Sequence, residues 1–351
     1  MNCFFLFVSL CNPYNCLVDF FSFVFVSLTV YAAIDRNGDG VAEELITLIS
    51  GLTEPNGITM KDGNLWVVEM RRIIRFDNID SILLNTGVAP QPVVVRTDLP
   101  TQSSHGWRYA AFSPDVNDPY LYIAFGANCN ICLVSGVEGT ISKFDTTNST
   151  APFEIVAYGV RNSVGFTWHP VTGDLWFTEN GRDQWGDDRP GDEFNRVVRQ
   201  GLHYGFPYCY EKDTVDPTYN TAGNCNAYVG CSQILGPHVA ALGTLFYNGG
   251  SFPSQYHLNA IIAEHGSWNR AVPIGYRITL VTMGTNGTAP IEGSGAYTTF
   301  IQGWLPEGAT NGNQAWGRPV DVKLLKDGSL LISDDKNNAV YRVSYSGSKD
   351  D

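Results

Sequence analysis

Positive charge is scarce in this 351-residue chain: 22 Lys and Arg stand against 35 Asp and Glu, a formal net charge of −13. Nucleic acids and anionic membranes both demand clustered cations, so no nucleic-acid partner is expected. Charged residues of either sign reach only 16%, and no amphipathic helical period extends far enough to build a helical fold. Disorder is excluded too, because 44% of residues are apolar and 19 Phe, 17 Tyr and 8 Trp can fill a large core. With 36 Gly and 18 Pro, the chain turns often. Length alone leaves the domain count open, since single all-β domains commonly exceed the usual size.

Between Met1 and Ile34 there is no Lys or Arg at all. Two apolar stretches, Phe4 to Leu10 and Phe20 to Val30, flank Cys11-Asn12-Pro13-Tyr14-Asn15-Cys16. Neither reaches the ~20 residues of a membrane span. A secretory signal wants a basic flank and a small-residue cleavage site, of which only Ala32-Ala33 suggests the second. Residues 1–28 therefore read either as a signal or anchor or as a mispredicted gene start. Residues 29–346 read as one domain without a membrane span, and 347–351 as a polar tail. Two sequons, Asn148-Ser149-Thr150 and Asn286-Gly287-Thr288, fit a secreted protein.

Three of the eight cysteines (Cys3, Cys11, Cys16) fall in the leader and five (Cys129, Cys132, Cys209, Cys225, Cys231) in the body. Cys129-Asn130-Ile131-Cys132 has no second pair to complete a zinc site and no following helix to make a thioredoxin-type motif. A local Cys129–Cys132 disulfide is expected, with a second within Cys209, Cys225 and Cys231. That favours an oxidising, extracellular or periplasm-like compartment.

After Ile34 one pattern recurs: an alternating apolar strand, a Gly/Asp turn, and a strand rich in aromatic and β-branched residues. Five copies occupy 56–70, 107–126, 164–181, 243–266 and 320–335. A further short strand follows each, at 72–79, 139–146, 275–281 and 339–345, though the third copy's equivalent is weak. The turns at 62–63, 172–174 and 327–328 carry the glycine that tight hairpins require. Such repeats read as propeller blades with unequal insertions. A lone strand at 29–34 suggests a sixth blade whose earlier strands are absent or replaced by the leader. Asp35-Arg36-Asn37-Gly38-Asp39-Gly40 matches the first half of an EF-hand loop, but position twelve is Ile46 rather than Glu. It reads as a polar turn, with weak calcium binding the lesser reading.

Polar, cationic and glycine residues concentrate at strand ends in SSHGWRY (103–109), YGVRNSVGF (158–166), TENGRDQWGDDRPGDEFNRV (178–197), EHGSWNR (264–270) and QAWGRPVDV (314–322). With NCNIC and LGPHVAALG (235–243), these segments resemble the pyrroloquinoline-quinone-dependent sugar dehydrogenases of the soluble glucose/sorbosone dehydrogenase family. The resemblance covers about 30 to 345 and implies an all-β, six-bladed β-propeller that oxidises the C1 hydroxyl of an aldose by hydride transfer to the quinone. It implies that His105 is the catalytic base, a task that suits imidazole. Arg161 and Asn162 would bond the quinone oxygens and a carboxylate and stabilise charge formed on reduction. Trp268, Arg270 and Arg318 would complete the cofactor site. The resemblance also implies Ca²⁺ as a Lewis acid on backbone carbonyls at Gly181 and Arg182. Asp192, Glu193 and Asn195 offer side-chain oxygens that either hold a structural calcium or cap a turn.

His238 and His265 are expected near the pocket, and His169 and His257 in structural roles. The substrate would be a small sugar and the electron acceptor an external one. Two rivals use the same fold. A calcium-dependent lactonase-type hydrolase would need no arginine for a quinone, and a non-catalytic binding propeller would need neither His105 nor Arg161.

Overall fold

The computed structural model describes residues 20–26, 28–37, 42–102, 104–293 and 295–347. The leader cysteines and part of the EF-hand-like loop lie outside them. The chain is an all-β propeller. Blade 1 comprises Gly57–Lys61, Asn64–Val68, Ile73–Phe76 and Val93–Arg96. Blade 2 comprises Ala110–Phe112, Tyr120–Phe125, Thr140–Asp145 and Glu154–Tyr158, with Leu202–His203 added in parallel outside. Blade 3 comprises Phe166–Trp168, Leu175–Glu179, Gly191–Arg196 and Gln233–Pro237. Blade 4 comprises Ala241–Phe246, Ala260–Glu264, Arg277–Val281 and Tyr297–Gln302. Blade 5 comprises Pro319–Leu324, Leu330–Asp334 and Ala339–Val343.

The expected six blades are corrected to five, which are the five copies legible in the sequence. The lone strand at 29–34 does not stand as the remnant of a blade with missing strands. Thr29–Asp35 is the middle of a three-stranded N-terminal sheet, paired with Phe20–Val26 from the leader and with Glu44–Ile49. Alternation explains why: Val30, Ala32 and Ile34 are buried against Leu65, Val67 and Phe76 of blade 1. The strand's apolar face thus needs a neighbouring sheet rather than a blade of its own.

First strands of successive blades lie side by side around the centre: Gly57–Lys61 on Ala110–Phe112, Phe166–Trp168 on Ala241–Phe246, and that strand on Pro319–Leu324. The approach is close enough that a Cβ at Gly165 would sit 2.1 Å from the Leu242 carbonyl oxygen. Only glycine fits there.

Strand directions then decide where loops go. Neighbouring strands within each blade are antiparallel. First-to-second and third-to-fourth connections therefore emerge on one face, and second-to-third and blade-to-blade connections on the other. No helix among the described residues is long and apolar enough to cross a membrane.

Candidate active site

Every residue singled out for cofactor or base chemistry lies on the second of those faces. His105 sits between blades 1 and 2, Arg161 and Asn162 between blades 2 and 3, and Arg318 between blades 4 and 5. Gly181 and Arg182 follow the second strand of blade 3, and Trp268 and Arg270 the second strand of blade 4.

His105 is half-buried with φ +48°. Arg108 donates to its carbonyl at 3.1 Å and pins that backbone. Its Nδ1 lies 2.7 Å from the Ala127 carbonyl oxygen, which can only accept, so Nδ1 carries the proton and Nε2 the lone pair. Burial first, and the nearby Arg161 charge second, hold its pKa down at about 4. The ring is therefore neutral at neutral pH, with its lone pair on Nε2. Gly126 makes room for it: a Cβ there would sit 2.5 Å from the His105 Cβ and 3.1 Å from Asn162 Oδ1.

Arg161 is buried, and four of its five N–H groups are engaged. Nε donates to the Asn130 carbonyl at 2.8 Å and Nη1 to the Asn180 carbonyl at 3.1 Å. Nη2 donates to Asn130 Oδ1 and Asp183 Oδ2, each at 3.0 Å. Asn162 Nδ2 reaches Asn180 Oδ1 at 3.3 Å, while its buried Oδ1 has no donor among the described residues. The disulfide loop Cys129–Cys132 thereby holds the arginine, and Cys209 pairs with Cys225, leaving Cys231 a buried free thiol.

Asp183 joins this half of the site to the other by also accepting from Asn269 Nδ2 at 3.2 Å. Beyond it opens a cavity of about 430 Å³ lined by His265, Trp268, Arg270, Tyr276, Arg318 and Lys336, among others. Arg318 donates through Nε to the His265 carbonyl at 2.9 Å and lies 5.4 Å over the Tyr276 ring. Arg270 bonds the Val272 carbonyl at 3.0 Å and the Asp187 carbonyl. His265 Nε2 meets Asp335 at 2.8 Å. His238 bonds the Gly186 carbonyl at 2.8 Å on the same face. His169 and His257 fall on opposite-face hairpins, where His169 Nδ1 caps the turn amides of Val171 and Thr172.

The acidic segment sits beneath. Asp192 accepts from Gly181 N at 2.8 Å and Ala240 N at 2.7 Å, so its two oxygens tie adjacent blades together. Burial lifts its pKa to about 7 despite those donors. Burial likewise lifts Glu193 to about 8 and raises Glu179, its cross-strand neighbour, whose Oε1 accepts from Arg161 N at 2.6 Å. Asn195 Nδ2 donates to Glu193 Oε2 at 2.9 Å. Among the described residues no group of three His, Cys, Asp or Glu is arranged to hold a metal ion. Among the described residues neither the Gly181 nor the Arg182 carbonyl accepts a backbone hydrogen bond, and Arg182 is paired with Asp216 at 2.6 Å.

Sequence reasoning missed Asn130, Asn180, Asp183 and Lys336. Asn130 was visible only as the inside of a disulfide loop. Asn180, Asp183 and Lys336 lie in runs of polar residues with no spacing that sets one apart from its neighbours.

An all-β propeller that gathers a neutral histidine, a buried arginine and a cation-lined cavity on one face defines the class of protein. Residues 31–346 match the family described as TrAA12-like, and the chain belongs to that family. It is 33% identical over 309 residues to an uncharacterised protein of Borreliella burgdorferi, covering 86% of this chain and 78% of that one. It is 25% identical over 248 residues to a pyrroloquinoline quinone-dependent sugar dehydrogenase of Hypocrea jecorina, covering 61% of this chain and 53% of that protein. The fold is shared with a Trichoderma reesei protein of carbohydrate-active enzyme family AA12, with TM-score 0.79, 19% identity, and coverage of 97% and 95%.

Proposed function

We propose that this chain is a secreted pyrroloquinoline-quinone- and Ca²⁺-dependent dehydrogenase oxidising the C1 hydroxyl of an aldose. The observation that carries it is His105: a neutral imidazole with Nδ1–H donated away and the lone pair on Nε2, beside Arg161 and Asn162, whose Oδ1 has no donor among the described residues. The Hypocrea jecorina relative is named for this cofactor and substrate class.

The residues present fit the cofactor. The cavity lined by Arg270, Arg318 and Lys336 suits a ligand with several carboxylates, while Asn162 Oδ1, an acceptor, can take a ligand N–H or O–H but not a quinone oxygen. Trp268, 67% exposed, offers an apolar face at its mouth. The committed bonds of Arg161 leave one Nη1 hydrogen for a ligand, so its main contribution is fixed positive charge. Calcium would take the Gly181 and Arg182 carbonyls, which accept no backbone hydrogen bond among the described residues. Asp192 and Glu193, occupied by protein donors, read as the support beneath.

When bound, the quinone supplies a two-electron acceptor. His105 Nε2 takes the hydroxyl proton as the C1 hydride leaves the sugar. Nδ1–H bonded to Ala127 would keep the imidazolium oriented, and turnover would need an external electron acceptor. The domain assignment over 29–346 belongs to the same proposal.

The test adds pyrroloquinoline quinone and Ca²⁺ to the purified full chain and follows aldose-dependent dye reduction beside a His105→Ala control. Reduction that needs both additions and vanishes in the control is expected. No reduction, with no change in Tm on adding the quinone, overturns the reading.

A further inference from the structure

The face opposite His105 carries its own chemistry. Only two Asn-x-Ser/Thr triplets occur in the chain, Asn148-Ser149-Thr150 and Asn286-Gly287-Thr288. Both fall on third-to-fourth strand connections, between Thr140–Asp145 and Glu154–Tyr158 in blade 2 and between Arg277–Val281 and Tyr297–Gln302 in blade 4. Strand alternation places those connections away from the candidate active site.

In each triplet the third residue holds the first. Thr150 donates to Asn148 Oδ1 through N at 3.2 Å and through Oγ1 at 2.9 Å. Thr288 N donates to Asn286 Oδ1 at 3.1 Å. Both asparagines are exposed, and neither Nδ2 donates a hydrogen bond among the described residues. The second loop is anchored, since the Thr288 carbonyl accepts from Arg196 at 3.2 Å.

We propose that Asn148 and Asn286 are acceptors for N-linked oligosaccharide. The donor is a polyprenyl-diphosphate-linked oligosaccharide: the bond from asparagine Nδ2 to sugar C1 forms, the C1–O bond to the diphosphate breaks, and the amide gives up one proton. No oxidation is involved. In both loops the third residue bonds Oδ1 rather than Nδ2, so the reacting nitrogen has no competing partner among the described residues. Placement does the rest: two bulky, solvating chains cover a face whose hairpin tips expose Val116 by 82% and Val171 by 70%, and leave the sugar's entrance open.

The experiment secretes the full chain from yeast behind a heterologous secretion leader. Endoglycosidase treatment is read by gel shift and by peptide mass spectrometry at each asparagine. Two glycans are expected, with Asn148→Gln and Asn286→Gln each removing one. Thr150→Ala and Thr288→Ala should remove the same glycans while keeping the asparagines, which guards against misfolded Gln variants. Folded, secreted wild-type protein with an unmodified Asn148 overturns the assignment there, and the same holds separately for Asn286. Occupancy is read without any dye assay, so it stands or falls independently of the dehydrogenase reading.

Discussion

His105 illustrates how neighbours set the state of a side chain before any substrate arrives. Its lowered pKa has a definite sign in a rate profile: the base form persists until the pH falls to about 4, well below the usual histidine range. We therefore expect kcat/KM of the cofactor-loaded protein to hold from pH 7 down to about 5 and to fall near 4, where the ring protonates. An acid limb at the ordinary value near 6.5 would overturn the assigned environment. His105→Gln should lower kcat by about 10²–10⁴-fold. The same shift acts on stability, because the unfolded chain binds this proton first as pH falls, so folding weakens between about 6.5 and 4. The motif picked the residue out of the sequence. Its tautomer was not legible, since that depends on the Ala127 carbonyl, whose position comes from the fold.

The disulfide loop between the second and third strands of blade 2 shows what a short element contributes. Closing so few residues stabilises by only about 2 kcal/mol in the chain-entropy view. Asn130 within it nevertheless supplies two of the acceptors on Arg161. Replacing Cys129 and Cys132 together by Ser should lower Tm by only a few degrees while cutting kcat at least tenfold. Unchanged kcat would show that Asn130 keeps its place without the bridge. Elements were legible in the sequence where apolar alternation and a glycine turn coincide: the Asp62-Gly63 and Asp327-Gly328 hairpins stand as read, with positive φ at Asp62 and both glycines. The third strand of blade 3 was weak because Phe194 is the only large apolar residue of Gly191–Arg196, yet its first five residues are buried. Asp192, Glu193 and Asn195 bury their polar groups by bonding neighbouring backbone and each other, a solution no hydropathy pattern reveals.

Across the whole molecule, one largely buried lysine links blade 5 to blade 2 while paired with a carboxylate on its own strand. Lys323, on the first strand of blade 5, bonds Asp321 at 3.1 Å and donates to Tyr109 Oη, beside the first strand of blade 2, at 3.0 Å. Burial alone would pull the Lys323 ammonium down, but Asp321 and Tyr109 together push it up, so the charge is retained. The sequence hid this link, because residues 214 positions apart share no local pattern, just as it hid the leader strand that pairs with Thr29–Asp35. Breaking one partner of such a pair costs more than removing both, since the survivor keeps an uncompensated buried charge. Lys323→Met should therefore lower unfolding free energy by roughly 3–5 kcal/mol, while Lys323→Met with Asp321→Asn should recover a large part of that loss. Denaturant unfolding of the three proteins decides the matter. If the double variant is no more stable than Lys323→Met, the cost lies in lost packing and the lost bond to Tyr109 rather than in the stranded carboxylate.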